Sequence, residues 1–256
     1  MRRAEARRAS RTLAALAACL GATIALDAQA PLRSHGRLFP PQDLGLLESP
    51  DRDEWQRPHQ ILDALGVADA DVVADVGAGS GWFTVRLARR VGPNGVVYAQ
   101  DVQSEMLAAI TRRVQREGLT NVRPVLGRGS DPRLPAAAID AVLIVDVVHE
   151  IDDRVTLFRN LGEALKPLGR IGVVDFRLDG AGPGPEADER VAPEVLEAEA
   201  ARAGLRLIRA ETFLPFQYFL IFGRGDAEAL RAASAPPTND RARASTRTRP
   251  RPRPRP

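Results

Sequence analysis

The stretch Asp75-Val76-Gly77-Ala78-Gly79-Ser80-Gly81 constrains this chain more than any other. An apolar run of Val72, Val73, Ala74 and Val76 leads into it. A helical pattern follows, with Val85, Ala88 and Val91 at helical spacing and Gly92-Pro93 as the stop. Strand, glycine turn and helix together make a nucleotide-binding device. Glycines let the backbone turn sharply and approach a ligand, and the helix start offers unpaired N–H groups at the positive end of its dipole. A dinucleotide fold wants G-x-G-x-x-G, whereas here the third glycine comes one residue early, at Gly81, and Trp82 fills the remaining slot. Asp75 adds a carboxylate two residues before the first glycine. It would repel a pyrophosphate but can accept hydrogen bonds from an ammonium group.

Downstream, strands and helices alternate. Residues 95–101 read as a second strand ending in Asp101, about 20 residues beyond the loop, where an acid reaches ribose hydroxyls. Ser104 caps a helix that buries Leu107, Ile110 and Val114 and stops at Gly118. Residues 121–126 form a third strand, and 139–148 an apolar run of the kind buried on both faces. Asp152 or Asp153 opens the next helix, 170–176 is strand five, and Pro193 starts a helix closed by Gly204. The last two strands, 205–213 and 217–223, are joined only by Leu214-Pro215-Phe216, a link short enough to require an antiparallel pair.

The D-x-G-x-G-x-G pattern resembles motif I of the class I S-adenosylmethionine (SAM)-dependent methyltransferases. Val102-Gln103-Ser104-Glu105-Met106-Leu107 after Asp101 is similar to their D-x-x-x-x-M-L segment. Leu165-Lys166-Pro167-Leu168-Gly169-Arg170 is similar to their L-K-P-G-G-x turn, with Leu168 in place of a glycine. The resemblance implies a Rossmann-like α/β fold over residues 55–223: a seven-stranded sheet, helices on both faces and a C-terminal antiparallel hairpin. It implies SAM as cofactor and methyl transfer to a small-molecule acceptor. A SAM-binding or sensor protein without turnover is the alternative.

SAM presents an amino-acid group, a ribose and an adenine. Asp75 and the backbone of Gly77, Ala78, Gly79 and Gly81 suit the first, Asp101 the second, and Val102 could pack on the third. Gly127-Arg128-Gly129-Ser130-Asp131 stands where the family presents an acid to the adenine amino group, although Asp131 before Pro132 is equally a turn former. Strand four ends in Asp146-Val147-Val148-His149-Glu150, at the edge where open α/β sheets hold their ligands. His149 is the candidate base, since a neutral imidazole accepts a proton near pH 7. Glu150 could orient it or act alone, and Asp146 could line the methyl site. Upstream, Trp55 or His59 is expected to close over the cofactor or simply to pack on the sheet edge, and 31–54 reads as an irregular approach segment.

The ends differ from the middle in charge and composition. Residues 1–30 hold five Arg against Glu5 and Asp27, and 231–256 hold eight Arg against Asp240. These ends carry +10 of a chain whose total is +3, leaving residues 31–230 at −7. An acidic domain lacks the basic stripe that nucleic acid requires. The first 30 residues run basic, then apolar, then Ala28-Gln29-Ala30, the order of a secretory signal peptide, so an exported or envelope location is expected, with the cytoplasm as the alternative. Cys19 is the only cysteine, which excludes an intrachain disulfide and a cysteine-based metal site. The Arg/Pro-rich residues 232–256 cannot bury a core and offer a basic tail for anionic surfaces.

Overall fold

The computed structural model describes residues 38–180 and 182–225. The expected signal peptide, Cys19 and the 232–256 tail lie outside the described residues. The strands are β1 (Val72–Val76), β2 (Val96–Asp101), β3 (Val122–Leu126), β4 (Ile139–Val145), β5 (Leu165–Phe176), β6 (Arg206–Glu211) and β7 (Gln217–Gly223). They form one sheet in the order β3-β2-β1-β4-β5-β7-β6. The first five are parallel, and β7 inserts antiparallel between β5 and β6. The predicted seven strands and C-terminal hairpin are thus all present.

Alternation along the central strands places a core on each face. Leu143 and Val174 join Ile61, Leu65, Phe83 and Leu87 beneath α2 (Pro58–Leu65) and α3 (Trp82–Val91). Their neighbours Ile144 and Val173 join Phe158, Leu161 and Leu196 beneath α5 (Arg154–Ala164) and α6 (Pro193–Arg202). A strand with apolar residues on both sides must be covered twice, and so the continuous apolar run of β4 occupies the middle of the sheet. The run also contains the switch point, because β1 is flanked by β2 on one side and β4 on the other. Connections leave these strands in opposite directions and open a crevice at their carboxyl ends.

Local details depart from the sequence expectation at several points. β4 stops at Val145, three residues before the end of its apolar run, because Asp146 turns to a left-handed φ of 59° and Val148–Glu150 form a 3-10 turn. Apolar continuity reported burial there, not extension. Ser104 is the first residue of α4 (Ser104–Arg116) rather than its cap, and Met106, not Leu107, joins Ile110 and Val114 in the fully buried stripe. Of the two aspartates offered as the cap of α5, Asp153 holds that role, its side chain accepting from the Thr156 N–H at 3.0 Å. β5 begins at Leu165 and so absorbs the segment expected as a turn. The approach segment is more regular than its composition suggests: a 3-10 helix spans Pro41–Glu48, and α1 (Arg52–Gln56) follows.

Candidate active site

Gly77, Gly79 and Gly81 between β1 and α3 all have left-handed φ, of 69°, 52° and 80°. Only glycine takes this conformation repeatedly without a steric cost. At Gly77 the requirement is double, since a Cβ would overlap the Val147 side chain from the end of β4. The loop is thereby laid directly against the β4 terminus. Its Ala78 N–H donates to the Gln100 carbonyl of β2 at 2.9 Å, and its Gly79 N–H donates to the Asp101 carboxylate at 3.0 Å. The other Asp101 oxygen accepts from the Gln103 N–H at 2.9 Å. One buried carboxylate therefore fastens the glycine loop to the end of β2, and the lone pairs left on its two oxygens suit a vicinal diol. Val102 follows, half-buried.

Asp75 lies beneath the loop and accepts a hydrogen bond from the Thr84 hydroxyl at 2.6 Å. Burial, reinforced by the charge of Asp101, pushes its carboxyl up to about 6. Trp82, in the slot a dinucleotide fold gives to glycine, is buried with the guanidinium groups of Arg86 and Arg52 at 3.5 and 4.3 Å from its ring centre. Asp131 is exposed. Its side chain accepts from the Arg133 N–H at 2.9 Å, and the Gly127–Asp131 turn is held to α5 through Asn160, which donates to the Ser130 carbonyl at 2.9 Å.

The end of β4 carries the most concentrated chemistry. The Asp146 carboxylate accepts from the side-chain amides of Gln56, at 3.0 Å, and of Gln217, and Arg52 lies 3.5 Å away. Arg52 also donates to Gln56 at 2.6 Å, and Gln56 to Gln217 at 3.1 Å. α1, β4 and β7 meet in this cluster, which fixes Asp146 in its left-handed conformation. Loss of solvation pushes its carboxyl up to about 6, against the pull of Arg52. Sequence reasoning missed Arg52, Gln56 and Gln217. Nothing in their spacing announces them, although Gln217 stands out as the one polar residue opening an otherwise apolar strand.

His149 lies in the 3-10 turn after β4, its Nδ1 at 3.1 Å from both carboxylate oxygens of Asp175 in β5. Asp175 is fully buried and also accepts from the Phe176 N–H at 2.8 Å. Burial alone would lower the imidazole pKa. The hydrogen bond and charge of Asp175, with Glu150 and Asp146 nearby, outweigh it and leave the group raised above its ordinary value. Glu150 is pushed up to about 7, chiefly by loss of solvation, with the charge of His149 and the nearby Phe39 backbone pulling the other way. The Phe39 carbonyl in turn accepts from Gln103 at 3.0 Å, so the start of the described chain crosses from the end of β2 to the end of β4. Trp55 is half-buried with its ring against Phe176 and Phe216, at centroid distances of 6.2 and 6.3 Å, and His59 is exposed on α2.

The glycine loop, Asp101, Asp146, His149 and Glu150 thus share the carboxyl edge of the sheet around the switch point. Asp131 is the predicted residue whose polar contacts are all within its own turn. Among the described residues, no group of three or more His, Cys, Asp and Glu is placed to hold a metal ion.

The chain is also similar to known proteins. A methyltransferase-domain family model covers residues 73–169, from β1 into β5. The chain is 30% identical over 123 residues to the ubiquinone/menaquinone biosynthesis C-methyltransferase of Pasteurella multocida, covering 48% of this chain and 45% of that one. It is 32% identical over 122 residues to the nocamycin O-methyltransferase of Saccharothrix syringae, covering 47% and 44%. The chain thus spans about half the length of the curated relatives it matches. Among solved structures, a SAM-dependent methyltransferase from Aquifex aeolicus superposes with a TM-score of 0.69 at 26% identity, covering 72% of this chain and 98% of that one.

Proposed function

From the premise that residues 73–169 are a methyltransferase domain of the class I SAM-dependent kind, we propose that this chain transfers the methyl group of SAM to a small-molecule acceptor. The observation that carries the reading is the coupling of three left-handed glycines to the Asp101 carboxylate, on the same sheet edge as His149. The residues present fit the cofactor: a loop of three left-handed glycines that exposes its backbone, an acceptor pair for a diol, and no basic side chain within the loop to select phosphate. SAM supplies a methyl carbon whose bonding electrons leave with the sulfur. The protein binds and orients, and the left-handed Asp146 and the 3-10 turn after it present His149 to an acceptor at the switch point. Both curated relatives compared above are named for small-molecule methylation, and the net charge of residues 31–230 disfavours a nucleic-acid substrate.

The test begins with binding. Calorimetry on the purified protein is expected to detect SAM and S-adenosylhomocysteine. Asp101→Ala removes charge-assisted bonds worth about 1.5–3 kcal/mol, or roughly a 10–150-fold loss of affinity. Unchanged affinity in that variant would remove the ribose assignment, and no binding to the wild type would remove the reading altogether.

We also propose that residues 1–30 direct export and are removed, and that the Arg-Pro tail contacts anionic surfaces. The support is composition alone. Intact mass of the protein from an envelope fraction is expected to lack the first 30 residues, and a full-length cytoplasmic species would sink the idea.

A further inference from the structure

We propose that Asp175 is the positioning residue of the site: it locks His149 in the Nδ1–H tautomer and leaves Nε2 as the open lone pair that takes a proton from the methyl acceptor. The inference rests on the methyl-transfer reading above for its chemistry, but on independent geometry for the dyad. A carboxylate has only acceptors, so a ring nitrogen 3.1 Å from both of its oxygens must be the protonated one. Nε2 has no protein partner among the described residues, and the His149 side chain keeps 12% exposure while Asp175 keeps none. The dyad is therefore closed on one side and open on the other.

Neighbouring elements hold this arrangement. Arg154 of α5 donates to the carbonyls of Val148 and Ile151 at 3.4 and 2.8 Å and pairs with Glu199 of α6 at 2.7 Å, which fixes the turn on both sides of His149. Tyr218 lies opposite Asp175 on β7, but its hydroxyl donates to the Val191 carbonyl at 3.1 Å. Asp146 and Glu150 supply the remaining charge near the ring. A neutral imidazole among three carboxyl groups is a base whose cation the site welcomes, and so the acceptor that profits is one arriving protonated at its nucleophilic atom. That proton goes to Nε2, the electron pair it leaves forms the bond to the methyl carbon, and the imidazolium later returns the proton to solvent. An acceptor with a free lone pair, such as a thioether, gains nothing from the dyad.

The experiment is nitrogen-15 NMR of the imidazoles in the full chain, without cofactor or acceptor. The sequence holds three histidines, and the spectrum of His149→Gln identifies the relevant one. At a pH above its titration, wild-type His149 is expected as the Nδ1–H tautomer. In Asp175→Asn the imidazole pKa should fall by about 1–3 units, and the amide, now able to donate to the ring, should populate the Nε2–H form. A wild-type ring already in the Nε2–H form overturns the proposal without any variant. So does an unchanged pKa and tautomer in a folded Asp175→Asn protein. Loss of SAM binding in the wild type would instead strike the methyl-transfer reading and leave the dyad standing.

Discussion

Replacing His149 by alanine is expected to lower methyl transfer by about 10²–10⁴-fold, the usual contribution of a positioned acid–base group, while affinity for SAM changes little. His149 lies in the turn after β4, whereas the cofactor contacts proposed above belong to the glycine loop and to Asp101. Alanine also leaves the buried Asp175 carboxylate without its donor, so His149→Gln, which keeps an N–H for that carboxylate, is the companion variant. The pH profile gives the sign of the effect. His149 is raised above its ordinary value, and it acts only when neutral, so the wild-type rate should rise with pH through that elevated pKa and be lost below it. Glu150, near 7, and Asp146, near 6, titrate in the same region, and the apparent midpoint therefore belongs to the cluster. Turnover from labelled SAM, measured between pH 5.5 and 9 with and without the substitution, is the check. Near-normal turnover and an unaltered profile in His149→Ala would remove the base assignment.

Gly77→Ala should be more damaging than Gly81→Ala, whose Cβ would meet nothing closer than 3.2 Å. The left-handed φ of 69° at Gly77 costs a non-glycine residue about 1–2 kcal/mol. The new Cβ would overlap Val147, a β-branched side chain with little rotamer freedom. Overpacking of this kind adds about 1–3 kcal/mol, so the total is about 2–5 kcal/mol. The alternative is displacement of the loop from β4, which is expected to disrupt the proposed cofactor contacts. Urea unfolding and calorimetry with S-adenosylhomocysteine measure the two outcomes. The double variant Gly77→Ala/Val147→Ala should recover the steric part and not the conformational part. If the single variant were as stable and as tight-binding as the wild type, the close approach of loop to β4 would not be the constraint inferred here.

The comparison of sequence with structure divides along the range of the interactions. Alternation of apolar runs with glycine stops located all seven strands, and the short Leu214-Pro215-Phe216 link was enough to make β6 and β7 antiparallel, since so few residues cannot cross over the sheet. The glycine loop and Asp101 were legible for the same reason. Backbone freedom at three alternate residues is a property of the residues themselves, and the loop-to-acid distance is set by one β–α unit. The Nδ1 contact of His149, by contrast, comes from Asp175, 26 positions away, and the Asp146 clamp from Gln56 and Gln217, 90 and 71 positions away. Sequence reasoning passed over Asp175, although an aspartate inside the apolar run of β5 could have signalled that some partner must exist, because a buried carboxylate without one is too costly. Which partner it meets depends on β5 pairing with β4 in parallel, so that the end of one strand stands beside the turn that follows the other. The sequence by itself therefore determined the fold class and the left-handed glycine loop, whose causes are local. Only the tertiary structure decided which acid orients the histidine and what holds Asp146, because strand order and register bring those groups together.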